Sequence, residues 1–336
     1  MIKEAIAKLV EKKDLTPEEM TKAMEEIMTG EALPGQIASF LTALRMKGET
    51  IEEITAAAEV MRKYVVRIKV DSAVIFDACG TGGDGLHTFN ISTVSALVIA
   101  GGGVTVAKHG NRSVSSRCGS ADLMEALGIN IEVAPEVIER CLREVGIGFL
   151  FAPRLHPAMK YATPVRREMG IRTIFNLLGP LTNPAGATHQ LLGIYDKNLG
   201  RSICQVLGNL GSKHSLVVHG LDGLDEVSTT TETLIWEWDG KKIKEYKISP
   251  EDFGIRKSTL EQIKTEDLET NKRIALQILE GEKGPHYDIV VLNAGCGFYA
   301  ADKVKGIQEG IDLAREVIDS GKAKEKLELL GELCHK

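Results

Sequence analysis

The sequence predicts an α/β protein: a small N-terminal helical domain over residues 1–70, then a large α/β domain over residues 71–336 with a central, mostly parallel sheet. Two observations carry this expectation. The first sixty or so residues show only helical punctuation, and from Val74 onward short apolar runs alternate with longer helical stretches. That alternation is the pattern of strands covered by helices on both faces. A chain of 336 residues, 43% apolar and 26% charged, can bury a large core and has an ordinary soluble balance. Its formal net charge of -6 argues against a broad nucleic-acid surface while leaving room for a local basic pocket. Cys79, Cys118, Cys141, Cys204, Cys296 and Cys334 lack C-x-x-C spacing and read as reduced, mostly structural thiols. Met1-Ile2-Lys3-Glu4 shows no signal-peptide pattern, and no apolar run approaches transmembrane length. The expectation is a cytoplasmic chain without membrane or nucleic-acid partners.

In the helical part, Thr16-Pro17-Glu18-Glu19 supplies a cap, a proline at the first helical position and a carboxylate for a capping box. Thr50-Ile51-Glu52-Glu53 repeats that logic without the proline, and Gly35 to Leu44 has the spacing of a third apolar face. A small bundle with few aromatics often packs on a partner subunit. The segment Gly170 to Pro184 reads as a helical turn and rigid connector returning towards this bundle, so that residues 170–183 would contribute to it.

Strands are predicted at Val74 to Ala78, Val104 to Ala107, Ile129 to Val133, Gly148 to Phe151, Leu191 to Ile194, Leu216 to Val218 and Ile289 to Leu292. Helices are predicted over Val94 to Ala100, Pro135 to Val145 and Asn198 to Leu210. Leu234 to Lys242 reads as an added hairpin with Asp239-Gly240 at its turn, its two tryptophans serving as packing residues.

Five polar segments stand at the ends of these runs. Cys79-Gly80-Thr81-Gly82-Gly83-Asp84-Gly85 lets backbone N–H groups close around an anion that side chains would hold off. Gly80, Gly82 and Gly85 also satisfy G-x-G-x-x-G, but the next strand ends in Lys108-His109-Gly110-Asn111-Arg112 rather than in an acidic residue. A plain flexible turn is the alternative. Asn90-Ile91-Ser92-Thr93 opens the next helix, either as an anion seat or as simple capping. Lys108 to Ser120 carries cations and serine hydroxyls suited to a phosphorylated ligand, with Ser120 equally able to cap the following helix. Asp225 and Glu226 in a strand-end loop suit Mg2+, or form a solvated acidic turn. Arg154 to Tyr161 and Pro164 to Gly170 could offer a cation for a carboxylate and rings for an apolar substrate; alone, His156 reads as a helix-start or core histidine.

Together these segments resemble the anthranilate phosphoribosyltransferase family, within the nucleoside phosphorylase-like fold group. The anchors are Gly80 to Asp84, Asn90 to Thr93, Lys108 to Ser116, Arg166 to Asn176 and Asp222 to Glu226. The resemblance implies transfer of the phosphoribosyl group of 5-phosphoribosyl 1-diphosphate to the anthranilate amine, with Mg2+. It places Gly80, Gly83, Asp84, Thr88, Asn90, Ile91, Ser92 and Thr93 around the diphosphate and ribose. Lys108, Asn111, Arg112, Ser113, Val114, Ser115, Ser116 and Ser120 would surround the phosphorylated sugar, with His109 and Gly110 also among the substrate-binding residues. Ser92, Asp225 and Glu226 would take the metal. Gly80, Asn111 and Arg166 would meet anthranilate, with His109, His156 and Tyr161 along its path; Lys108, Asn111 and Arg166 are the catalytic candidates. The resemblance further implies a homodimer through the helical domain and allows association with anthranilate synthase. The rival functions are a nucleoside phosphorylase and a non-catalytic sugar-phosphate-binding regulator.

Overall fold

The computed structural model describes residues 1–112, 118–265 and 267–335. Helices α1 (Ile2–Val10), α2 (Pro17–Thr29), α3 (Pro34–Lys47) and α4 (Ile51–Lys63) open the chain. Then come β1 (Phe76–Gly80), α5 (Ile91–Gly101), β2 (Val106–Gly110), α6 (Ser120–Ala126), α7 (Pro135–Glu144) and β3 (Ile147–Phe151). Short helices α8 (Ala152–Leu155), α9 (Thr163–Met169) and α10 (Ile174–Leu181) lead to β4 (His189–Gly193), α11 (Gly200–Asn209) and β5 (His214–Gly220). The hairpin β6 (Thr233–Trp238) and β7 (Ile243–Ile248) precedes α12 (Leu268–Leu279), α13 (Pro285–Ala300), α14 (Ile307–Asp319) and α15 (Lys322–Cys334).

The capping signals act as read. Thr16 and Thr50 accept from the backbone N–H of Glu19 and Glu53, whose carboxylates return the bond. Glu53 is fully buried, and its oxygens also take Leu15 N–H at 2.9 Å and Lys47 Nζ at 2.8 Å, so one cap side chain ties α4 to α3 and to the connection between α1 and α2. The apolar faces of α1 to α4 share one core with α10, α11 and part of the sheet. Arg62 of α4 donates to the carbonyls of Leu181, at the end of α10, and of Leu210, just past α11, at 2.8 and 3.0 Å.

The seven strands lie in the order β3-β2-β1-β4-β5-β6-β7. The first five are parallel, and β6 and β7 are antiparallel additions, as the hairpin reading required. The chain runs outward from β1 to β3 and then returns to β4 on the other side of β1. The β1/β4 boundary is therefore the point where strand order reverses, and such points open a crevice at the carboxyl ends of the strands.

Two predicted strands are corrected. Ile289 to Leu292 lies inside α13, which is buried on nearly every side. A helix packed all round has no polar face to mark its period, so a short window of it reads like a buried strand. Ile129 to Val133 has no strand pairing; Ile129 and Ile131 are buried anchors in the connection from α6 to α7. The start of β2 also moves, so that Lys108 and His109 lie within the strand rather than after it.

Candidate active site

Gly80 and Gly193 are paired neighbours at the carboxyl ends of β1 and β4. Both are glycine because Asp225 crosses directly above them. A Cβ on Gly80 would collide with the Asp225 carboxylate, and one on Gly193 with the Asp225 backbone. The glycine loop then turns through positive φ at Gly82 (68°) and Gly83 (81°), a conformation that side chains disfavour. This turn aims Gly82 N–H at Asp225 Oδ2, 2.7 Å away. In the first turn of α5, Ser92 N–H donates to Glu226 Oε1 at 3.1 Å. Both segments read as anion seats thus hold carboxyl oxygen, that of the acidic loop.

Asp225 and Glu226 are buried. Their carboxyl pKa values are raised, first by burial and then by like charge, from Asp84 on Asp225 and from Asp225 on Glu226; Lys108 opposes the shift on Glu226. Two desolvated acids resisting ionisation are what a divalent cation would stabilise, and the neighbouring Ser92 hydroxyl adds a hard oxygen. Among the described residues no three His, Cys, Asp or Glu side chains are arranged to hold a metal by themselves. The set fits an ion that completes its shell with water and substrate oxygens, as Mg2+ does.

Lys108 is 3% exposed, with Nζ 3.4 Å from its own neighbour's carbonyl at His109. Beneath it Asp77, fully buried in β1, accepts from His109 N–H at 3.1 Å and from Asn183 Nδ2 at 2.8 Å. Burial raises the Asp77 pKa and the Lys108 charge pulls it back. Asn183 also donates to Ala107 O, so it staples the connector to β2. Asn111 N–H donates to Ser120 Oγ at 3.2 Å, and Ser120 sits in the first turn of α6 behind Gly119, which holds the cap position. Gly110 allows this approach, since a Cβ there would strike Ser120 and Phe149. Arg112 pairs with Asp122 at 3.0 Å and with Glu125, and lies over the Phe151 ring. Ser113, Val114, Ser115 and Ser116 lie outside the described residues. The Ile91 side chain is in the core, leaving only its backbone to face a ligand, and Thr88 pairs with Lys264. Thr93 Oγ1 is buried without a hydrogen-bond partner among the described residues.

Towards the helical domain, His109 and His156 meet Nε2 to Nε2 at 3.2 Å. Burial, with His156 and Lys108 as added cations, pushes the His109 pKa down to about 3, and burial alone pushes His156 down to about 4. The pair is a neutral, partly apolar wall at neutral pH. Arg166 lies over the Phe175 ring at 5.2 Å, has no ion-pair partner among the described residues, and has its pKa lowered by burial. Tyr161 packs on Gly30 at the end of α2 and is 37% exposed, away from the other candidates' contacts.

Several site residues escaped the sequence reading. Gly193 needs the β1/β4 pairing to be seen. Arg172 bonds the Gly83 carbonyl and stacks on Tyr195 at 4.1 Å. Two fully buried asparagines clasp the binding segments from behind. Asn293 of α13 donates to Val227 O at 2.8 Å and accepts from Val227 N–H at 2.9 Å, next to Glu226. Asn271 of α12 does the same for Asn90, accepting from its N–H at 3.3 Å and donating to its Oδ1 at 2.8 Å.

The two parts match two family models, the helical bundle domain of a glycosyl transferase family over residues 3–65 and its a/b domain over residues 72–324. The chain is 52% identical to the anthranilate phosphoribosyltransferase of Symbiobacterium thermophilum over 335 residues, covering 100% of this chain and 98% of that one. It is 53% identical to the enzyme of that name from Persephonella marina, covering 99% and 98%. The crystal structure of anthranilate phosphoribosyltransferase from Thermus thermophilus superposes with a TM-score of 0.94 at 45% identity, over 99% of both chains. That from Saccharomyces cerevisiae, in complex with PRPP and Mg, gives 0.92 at 29% identity, covering 99% and 98%. With both domains matched, and a crevice that gathers an acid pair, a glycine loop and a buried lysine, the chain belongs to the anthranilate phosphoribosyltransferase family.

Proposed function

We propose how this chain performs its family's reaction, the transfer of the phosphoribosyl group of 5-phosphoribosyl 1-diphosphate (PRPP) to the amine of anthranilate in tryptophan biosynthesis. PRPP lies at the carboxyl ends of β1, β2 and β5, and anthranilate enters between His109, His156 and Arg166. The observation that carries this assignment is the convergence on one switch point of Gly80, the Ser92 and Gly82 N–H groups, Lys108 and the Asp225-Glu226 pair. The yeast relative's complex with PRPP and Mg, and another of the same protein with 4-fluoroanthranilate, support the choice of ligands.

Anthranilate's amine is a modest nucleophile, so the reaction needs an electrophilic anomeric carbon more than a strong base. As the C–O bond to pyrophosphate breaks, positive charge grows on the ribose ring and negative charge on the leaving group. Lys108 stabilises that negative charge from a fixed position in a water-poor crevice, with the glycine-loop N–H groups that Asp225 and Gly193 leave free beside it. Asp225, Glu226 and the Ser92 hydroxyl would hold Mg2+, which neutralises phosphate charge when bound. Arg166 receives the anthranilate carboxylate as a charge-assisted bond and aims the amine at the sugar. The neutral histidine wall leaves the amine unprotonated and offers no competing charge. The released proton goes to solvent, the substrate carboxylate or pyrophosphate.

The helical domain is the proposed dimer surface, because Val10, Leu33 and Met46 on α1 and around α3 are 68%, 65% and 78% exposed. A monomeric mass by light scattering across a wide concentration range would remove that part. Among the described residues no helix is long and apolar enough to cross a membrane.

The test of function is direct. Anthranilate fluorescence should fall on adding PRPP and Mg2+, with pyrophosphate released in equal amount. Phosphate-dependent cleavage of a nucleoside, or binding of PRPP without turnover, would replace this reading with one of its rivals.

A further inference from the structure

Asn90 holds the N-cap position of α5, yet its side chain makes no cap bond. Its carboxamide oxygen is instead occupied twice, by Asn271 Nδ2 at 2.8 Å and by Cys118 Sγ at 3.3 Å. Among the described residues its Nδ2 has a long contact, 3.5 Å, to the Cys118 carbonyl. Asn271 is fully buried in α12, 181 residues away in sequence, and its own oxygen accepts the Asn90 backbone N–H. A single amide thus reads both a donor and an acceptor of Asn90. An asparagine side chain presents either oxygen or N–H2 to a given direction, and the choice is fixed by what its other end meets.

We propose that Asn271 is a positioning residue for phosphoribosyl transfer: it fixes the orientation of the Asn90 amide so that the N–H2 group, not the oxygen, faces PRPP. The inference rests on the placement of PRPP against Asn90 given above. An oxygen turned towards the diphosphate would repel it, so the clasp sets the sign of a contact and not only its distance. Asn271→Asp keeps the acceptor for the Asn90 N–H but cannot donate to Oδ1 while ionised. It therefore drives the Asn90 amide to turn its N–H2 inward and its oxygen towards the ligand.

The experiment is two-substrate steady-state kinetics on Asn271→Asp, Asn90→Ala and the double variant, with thermal melting of each. The expected result is a rise in the PRPP KM of Asn271→Asp by roughly tenfold or more, the scale of one charge-assisted hydrogen bond. Its anthranilate KM should stay within about twofold, and in the Asn90→Ala background the same substitution should add nothing to the PRPP KM. Should Asn271→Asp not fold, Asn271→Ser is measured in the same cycle, with a smaller rise expected and the same non-additivity. Full additivity with Asn90→Ala, or equal effects on both substrates, would make Asn271 merely structural and overturn the proposal. A normal PRPP KM in Asn90→Ala would instead overturn the placement of PRPP on which it rests.

Discussion

On the side of the crevice where we propose that the diphosphate binds, Asn90, Lys108 and Asp225 sit at strand ends, a helix start or a strand-end loop and are held from behind by buried neighbours. On the acceptor side, Arg166 sits on the seven-residue helix α9 with one ring contact, and Tyr161 leans on Gly30 of the helical domain. The contrast follows from what each side must bind. Buried charge is costly to move or leave unpaired, so the proposed site for a multiply charged diphosphate stands on the sheet, with Asp77, Asn183, Asn271 and Asn293 fixing its parts. A flat aromatic acid needs a slot and one cation, which short helices between the domains can supply. Defects on the first side should therefore fall on PRPP use and turnover, and defects on the second on the affinity for anthranilate.

The largest expected effect is that of Lys108→Ala. Removing a buried cation from a developing pyrophosphate should lower kcat/KM for PRPP by on the order of 100- to 1000-fold, while the anthranilate KM changes little. Steady-state kinetics with each substrate varied separately would reveal the split. Next comes Gly193→Ala, whose new methyl group has no space beside the Asp225 backbone. Overpacking of this kind costs about 1–3 kcal/mol, so the melting temperature should fall and more Mg2+ should be needed for half-maximal rate. Gly35→Ala, with open space around it, is the control that should do neither. Arg166→Ala should raise the anthranilate KM by roughly 10- to 100-fold through loss of one charged hydrogen bond and leave the PRPP KM near its original value.

The smallest effect concerns pH. The folded pKa values of His109 and His156, about 3 and about 4, lie below the ordinary histidine value of 6.5. Between these limits the unfolded chain binds more protons than the folded one, so stability is present above about 6.5 and lost as pH falls towards 4. Replacing His156 with Phe should flatten that part of the acid limb of a melting-temperature profile. An unchanged slope would mean that the pair is not held neutral.

Much of the geometry on the proposed diphosphate side is legible in the sequence because it is local. Gly82 and Gly83 are needed for a left-handed turn, and Asp225 and Glu226 stand together at a strand end. The resemblance places Arg112 around the phosphorylated sugar, and in the structure Asp122 and Glu125 present carboxylates from one face of α6 that pair with it. Gly193 could not be recognised without knowing that β4 lies beside β1, a long-range fact. Asn271 and Asn293 sit on helices whose buried faces are otherwise apolar, so only their hydrogen bonds reveal their purpose. The segment 289–292 failed for the same reason in reverse: a helix buried all round loses the period that identifies it.

The division between the two sides is tested most directly by two-substrate kinetics on Lys108→Ala and Arg166→Ala measured together, following anthranilate fluorescence. The account predicts crossed effects: Lys108→Ala impairs use of PRPP with little change in the anthranilate KM, and Arg166→Ala raises the anthranilate KM with little change in that for PRPP. An equal rise in the KM of both substrates with either variant would contradict it.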